Sequence, residues 1–461
     1  MNMDNQYDVI VVGGGPAGYM AALRAARLGG RAALVEMDTL GGTCLNRGCI
    51  PTKTYLKTAE YIRRLGDYSR RGIRLGSTGF TFDMPAARAE KQRVVRTLVG
   101  GVQGLVKAGG IDYFNTRGTV RADKTVVLGS GETLSARAVI YAGGSVTSRL
   151  PVEGLDLPGV ITSDDLLDAD TVPDSMVIVG GGVIGVEMAS AFAAFGCKIT
   201  IVELADTVLP MLDEEISKSM GKLLEQQGVR LQIGKSLERI SRAGGGLTVH
   251  LAGGAQLAAE KVLVAVGRSP DLSGVEELGL ALDRGCVRVD EGMRSSLPWL
   301  YAPGDVNGRS MLAHAAFHMG EVAAANALGR GEKADLRFVP SCVYTSPEIG
   351  CVGLTEAQAR RRHEILVGRF PFSGNGRALA GGHSQGFVKV VAGAKYGQLL
   401  GVHILGPDAA ELINEAAALM AMEITVHELK DIIHGHPTFS EALMEAAADC
   451  LGECLHLPRR A

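Results

Sequence analysis

Tyr-Asp-Val-Ile-Val-Val-Gly-Gly-Gly-Pro-Ala-Gly, residues 7–18, runs from a short apolar segment into a glycine-rich turn, and a helix-forming segment over 19–28 follows. Residues 31–35 read as a second strand that ends in Glu36. Strand, glycine turn, helix and strand in this order make a dinucleotide-binding unit. Gly13 permits the tight turn, Gly15 lets a pyrophosphate approach the backbone, and Gly18 lets helix and strand pack. Glu36 stands where a carboxylate bonds a ribose hydroxyl. One such turn is weak evidence, but this one recurs. Residues 176–179 are apolar, Gly180-Gly181-Gly182-Val183-Ile184-Gly185 repeats the turn, and 198–202 leads to Glu203. Gly13 and Gly180, Gly15 and Gly182, Gly18 and Gly185, and Glu36 and Glu203 are each 167 residues apart. A constant offset over four positions marks a duplicated unit. The chain is therefore expected to be α/β, with two Rossmann-like dinucleotide-binding domains.

Composition narrows the setting. At 461 residues the chain exceeds one core, and about three domains are expected. An apolar content of 46%, 5% aromatics and 62 glycines suit a large glycine-rich α/β protein. A net charge of −3 gives no electrostatic case for nucleic acid or a membrane surface. No apolar run approaches the roughly 18 residues of a membrane span, and residues 1–7 lack the apolar core of a signal peptide. Eight cysteines in so long a chain are no disulfide framework, so a reducing, cytoplasmic setting is expected. No metal site is expected.

Two of those cysteines stand apart, in Gly41-Gly42-Thr43-Cys44-Leu45-Asn46-Arg47-Gly48-Cys49-Ile50-Pro51-Thr52-Lys53. Residues five apart on a regular helix point about 140° away from each other. A bond between Cys44 and Cys49 would need local distortion, which Gly48 permits and Pro51 encourages. Such a bond would be strained and readily reduced, as a redox catalyst requires. The bare spacing also fits two unrelated core cysteines. Two dinucleotide sites beside a redox pair imply an electron path between two cofactors, most simply a flavin and a nicotinamide.

The stretch resembles the active site of the pyridine nucleotide-disulfide oxidoreductases, and Cys-Leu-Asn-x-Gly-Cys-Ile-Pro-x-Lys resembles their dihydrolipoamide-oxidising branch most closely. The resemblance covers nearly the whole chain. It implies a redox-active Cys44–Cys49 disulfide, FAD at the first turn and NAD at the second. It adds Gly42, Thr43, Lys53, Gly118, Ala142, Gly143, Gly144 and Asp305 to the expected FAD contacts, with Met311, Leu312, Ala313 and His314 lying along the flavin. Gly267 and Glu187 join the NAD side, and Glu187 is expected to face Lys53 near the flavin and the nicotinamide. A carboxylate at Glu203 would repel a 2′-phosphate and so favours NAD over NADP. Arg47, Thr52 and Gly143 depart from the usual pattern; Arg47 could shift either the redox potential or the docking of acidic partners.

Along the chain, residues 54–106 show an Arg-rich helical pattern interrupted at 72–84, read as a helical pair with a solvated basic face. Strands are expected at 114–120, 126–134 and 138–145. Residues 262–268 mirror 140–145, a second correspondence between the halves. The expected division is an FAD-binding part over 1–147, an NAD-binding domain over 148–270, a second FAD-binding part over 271–338 and an α+β dimerisation domain over 339–461. In the last, 340–356 and 386–405 read as strands. Residues 409–425 read as an apolar helix, fitting either an interface or a core by composition.

The second chemical centre is His434-Gly435-His436-Pro437-Thr438-Phe439-Ser440-Glu441. Dithiol oxidation needs a base, because the thiolate is the nucleophile and an ordinary thiol has a pKa of about 8.5. The motif resembles the family's base and orienting carboxylate, assigning His436 and Glu441, with His434 supporting the loop. The implied reaction oxidises dihydrolipoamide and reduces NAD+, in a homodimer whose base comes from the second subunit, with the lipoyl group arriving on the carrier protein of a 2-oxo acid dehydrogenase or glycine cleavage complex. Glutathione- and thioredoxin-reductase-like activities are the alternatives within the fold. Cys450 and Cys454, one turn apart on a helix expected over 441–455, read as packed thiols rather than a tail dithiol.

Overall fold

The computed structural model describes residues 6–73 and 80–458. Its contacts divide the chain into two compact units: 1–54, 86–149 and 267–336 form one, and 55–85, 150–266 and 337–461 the other.

The first unit is built on a sheet in the order Asp112–Asn115, Ala32–Glu36, Gln6–Val12, Thr133–Tyr141, Thr125–Leu128, Gly118–Val120, with Leu300–Tyr301 also beside Thr133–Tyr141. The four strands from Asp112–Asn115 to Thr133–Tyr141 are parallel. Val9, Ile10 and Val11 are fully buried in succession, as a parallel strand covered on both faces requires. Helix Pro16–Arg27 turns Ala17, Gly18, Ala21, Ala22 and Ala25 inward and packs on the alanine-rich helix Ala313–Ala327. Only a glycine fits at Gly320, where a Cβ would overlap the Ala17 carbonyl, so the two helices meet backbone to backbone.

The second unit repeats the theme in a parallel sheet ordered Arg230–Ile233, Lys198–Glu203, Ser175–Val179, Lys261–Val264, Val160–Ile161. Residues 337–461 add a five-stranded antiparallel sheet, Ser341–Val343, Glu348–Gly353, Leu399–Gly406, Phe387–Gly393, Ile365–Pro371. Val390, Val402 and Ile404 of this sheet share a core with Ile413 and Ala446 of the covering helices. Helix Ala409–Ala421 buries Ala409, Ala410, Ile413, Ala416 and Met420, so one of its faces is core.

Several elements differ from expectation. The run 114–120 is two strands, because Asn115 turns its side-chain amide onto the Glu36 and Asp38 carbonyls. A turn at Gly131, with φ +88°, cuts 126–134. The strand expected over 138–145 stops at Tyr141, and 340–356 and 386–405 each hold a hairpin. Strand Ile365–Pro371 and the three-stranded meander over 237–259 went unread. Helix Glu441–Cys450 ends well short of 455. Gly452 adopts φ +71°, Gly452 N–H donates to the Asp449 carbonyl, and Glu453 N–H donates to that of Ala448, which is a left-handed helix stop. The helical insertion is Cys49–Arg64 and Met84–Ala108; part of the interruption read at 72–84 lies outside the described residues. Its basic face is not wholly solvated, for Lys91 is buried.

Candidate active site and dinucleotide turns

Each unit carries one glycine turn, and the two are built alike. A Cβ on Gly13 would overlap the Ala142 carbonyl, and one on Gly180 the Ala265 carbonyl; φ is +102° and +110° at these glycines. Gly18 and Gly185 likewise press on the carbonyls of Gly13 and Gly180. Gly15 and Gly182 are the N-caps of helices Pro16–Arg27 and Val183–Ala194, in extended backbone. The nearest atoms to a Cβ at these two positions are 3.8 and 4.0 Å away. Bare backbone and a helix N-terminus together fit a pyrophosphate in both halves.

The strand-end carboxylates also match. Glu36 accepts from Gly14 N–H at 2.5 Å and Asp38 N–H at 2.7 Å, while Glu203 accepts from Gly181 N–H at 2.6 Å and Ala205 N–H at 2.7 Å. Burial pushes the Glu36 carboxyl up, with the Gly14 and Met37 N–H groups opposing. Both carboxylates thus border their turns, where a ribose would lie.

The cysteine stretch folds as two helices, Gly42–Arg47 and Cys49–Arg64, broken at Gly48 with φ −139° and ψ −106°. The break is what lets residues five apart converge. Cys44 and Cys49 are both thiols, both half-buried. The Cys44 thiol is held far above its usual range, first by its hydrogen bond to Cys49, then by burial and by the charge on Cys49. Lys53 opposes this and Asp305 adds to it. The Asn46 side-chain amide donates to the Gly42 and Leu40 carbonyls at 2.9 and 3.1 Å and so pins the loop. Arg47 pairs with Asp38.

Other expected FAD contacts line the same unit. Asp305 opens a short 3-10 turn, and its carboxylate accepts from Ser145 Oγ at 2.6 Å. Arg268 donates to Ser145 Oγ at 2.8 Å, to the Ser145 carbonyl at 2.6 Å and to Thr43 Oγ1 at 3.3 Å. This Arg268–Ser145–Asp305 chain was not singled out in the sequence; a cation following Gly267 in the mirrored strand-turn was the available signal. At Gly143 a Cβ would collide with the Tyr141 ring, whose hydroxyl donates to the Asp271 carbonyl at 3.0 Å. The departure at Gly143 thus makes room for Tyr141. Gly144 has φ +73°. Gly118 is buried in a strand, opposite Leu128. Met311 and Leu312 lead into helix Ala313–Ala327, with Ala313 and His314 in its first turn.

On the NAD side, Gly180, Gly182, Gly185, Glu187 and Glu203 fall within one unit, whereas Gly267 belongs to the other. Glu187 is 3% exposed, and its carboxylate accepts from Tyr344 N–H at 2.9 Å.

His436 is held by Glu441, Nδ1 to Oε1 at 2.8 Å, and Thr438 N–H donates to the other carboxylate oxygen at 2.7 Å. Burial would raise the Glu441 carboxyl, but Thr438 N–H and His436 outweigh it and hold it low. The His436 side chain is 78% exposed. His434 is different: its side chain is 5% exposed, and Nε2 lies 2.9 Å from Glu415 Oε1.

The described residues hold no group of three His, Cys, Asp or Glu side chains arranged for a metal. Among them no helix is long and apolar enough to cross a membrane.

Residues 7–320 match the family model described as pyridine nucleotide-disulphide oxidoreductase, and residues 339–447 match that family's dimerisation domain. A dihydrolipoyl dehydrogenase of Bacillus subtilis is 39% identical over 454 residues, covering 97% of this chain and 99% of its own. One from Haloferax volcanii is 39% identical over 468 residues, with 98% of each chain covered. Among solved structures, the HOCl-induced flavoprotein disulfide reductase RclA from Escherichia coli gives a TM-score of 0.86 at 30% identity, covering 95% of this chain and 99% of its own. LpdA from Mycobacterium tuberculosis gives 0.88 at 28%, covering 95% and 98%. Matched from its first dinucleotide strand to its last helix, the chain belongs to the pyridine nucleotide-disulphide oxidoreductase family.

Proposed function

We propose that this protein is a dihydrolipoyl dehydrogenase, using FAD and NAD to oxidise carrier-bound dihydrolipoamide to lipoamide. The observation that carries the reading is the Cys44–Cys49 pair, hydrogen-bonded across the Gly48 break and beginning two residues after a backbone that roofs the first glycine turn. By function the chain divides into 1–147 and 271–338 for FAD, 148–270 for NAD and 339–461 for pairing of two subunits.

His436, supplied by the second subunit of a homodimer, takes the proton of one substrate thiol at Nε2, while Glu441 holds the resulting imidazolium through Nδ1. The substrate thiolate attacks Cys44 Sγ of the oxidised pair; the Cys44–Cys49 bond breaks, and Cys49 leaves as a thiolate. The second substrate thiol then attacks the substrate sulfur of this mixed disulfide as its proton passes to the departing Cys44 sulfur, releasing lipoamide and leaving Cys44 a thiol, with the first proton still on His436. The Lys53 ammonium favours the thiolate on Cys49. Bound flavin and nicotinamide supply the two-electron transfer that returns the pair to its oxidised state. Gly13, Gly15, Gly18, Glu36, Gly42, Thr43, Gly118, Ala142, Gly143, Gly144 and Asp305, with 311–314, hold FAD. Gly180, Gly182, Gly185, Glu187, Glu203 and Gly267 hold NAD.

A tail-dithiol reductase is disfavoured by the C-terminus. Cys450 is buried and donates to the Val390 carbonyl, and Cys454 donates to Glu445 at 3.0 Å. The test is turnover of purified, flavin-loaded protein with dihydrolipoamide and NAD+, set against glutathione disulfide or oxidised thioredoxin with NADPH. Turnover of the first pair with little of the second supports the reading, and the reverse order contradicts it.

A further inference from the structure

In both halves the segment after the carboxylate-ending strand folds back over its glycine turn. Gly41 N–H donates to the Gly14 carbonyl, and Leu209 N–H to the Gly181 carbonyl, each at 2.8 Å. Both donors have positive φ, +97° and +51°. The two roofs present different atoms to the glycine that faces the pyrophosphate. Over Gly15 the nearest atom is the Cα of Gly42, 3.8 Å from where a Cβ would stand. Over Gly182 it is the methyl carbon of Met211, 4.0 Å away.

Met211 is 56% exposed, so the core does not hold it in place. An unbranched thioether with three rotatable bonds reorients readily. Its methyl group offers no donor to a phosphate, yet it stands before the backbone that three glycines keep bare.

We infer that Met211 is a displaceable cover on the second turn and governs access of the nicotinamide dinucleotide; this rests on reading that turn as the NAD site. While the cover is down the turn is closed, so the observed affinity is the intrinsic one scaled by the fraction of chains with Met211 turned aside. The first turn bears no such penalty, because its roof has no side chain. One half then retains its dinucleotide while the other exchanges it at every turnover.

The test is calorimetric titration of NAD+ into full-length, oxidised, flavin-loaded protein. Met211→Ala should lower the Kd for NAD+ roughly three- to tenfold, removing the closed fraction. The KM for NAD+ should fall by the same factor at unchanged kcat, and Met211→Leu should stay close to the parent. Unchanged flavin content and melting temperature establish that the variants fold. An unchanged or higher Kd in Met211→Ala overturns the proposal. Absence of NAD+ binding in the parent itself removes the second turn as an NAD site, and the cover falls with it.

Discussion

The two dinucleotide halves share a turn, a strand-end carboxylate and a returning roof, and differ in what the roof becomes. In the first half it runs through Gly41 and Gly42 straight into the helix that carries Cys44, with Cys49 beyond the Gly48 break. In the second it passes Leu209 and Met211 to Asp213, which caps helix Glu214–Gln226. Asp213 is 1% exposed and bonds Lys389 at 2.7 Å, and Lys389 also pairs with Glu356 at 2.7 Å. The same supersecondary unit is thus tied in one half to redox chemistry and in the other to a buried ionic anchor. Binding a dinucleotide and reacting with a dithiol are separable properties of this fold.

Cys49→Ser attacks the difference most directly. Dihydrolipoamide turnover should fall by about 10³-fold or more, as loss of a nucleophilic partner does, while flavin absorbance remains. The first half would then resemble the second. His436→Gln should lower turnover by roughly 10²–10⁴-fold, the usual yield of a general base, with flavin content unchanged.

The anchor of the second half is a matter of stability. Lys389→Met leaves Asp213 as a buried charge without its principal partner and should destabilise by about 3–5 kcal/mol, read from urea unfolding. The carboxylates come next. Glu203→Ser should narrow the preference for NAD+ over NADP+ by about tenfold, equivalent to roughly 1.4 kcal/mol, whereas Glu36→Ser should leave that ratio alone and weaken flavin retention instead.

The smallest effect concerns His434, whose imidazole is raised above its ordinary value first by the hydrogen bond to Glu415. A raised folded value means that the stabilisation is complete below the unfolded pKa of about 6.5 and is lost as pH rises through the folded one. The melting temperature of His434→Gln should therefore fall short of the parent most at low pH, and the gap should close above neutrality.

The two halves were legible because their demands are local. A turn that admits only glycine at Gly13 and Gly180, and a carboxylate at each strand end, leave marks at fixed spacing. Gly48 was readable as a break for the same reason. Elements set by distant partners were not. Strand Ile365–Pro371 forms because Phe387–Gly393 stands beside it, and the Arg268–Ser145–Asp305 chain joins residues over 100 positions apart. The helix read through to 455 shows a missed local signal, since Gly452 marks its end.

The central claim, that the two sulfurs relay electrons from a dithiol to bound flavin, is tested most directly by anaerobic titration of the flavin-loaded protein with dihydrolipoamide. The relay predicts that the first equivalent reduces the cysteine pair while the flavin stays oxidised, with a long-wavelength thiolate-to-flavin band that Cys49→Ser lacks. Bleaching of the flavin by the first equivalent, alike in parent and Cys49→Ser, would contradict it.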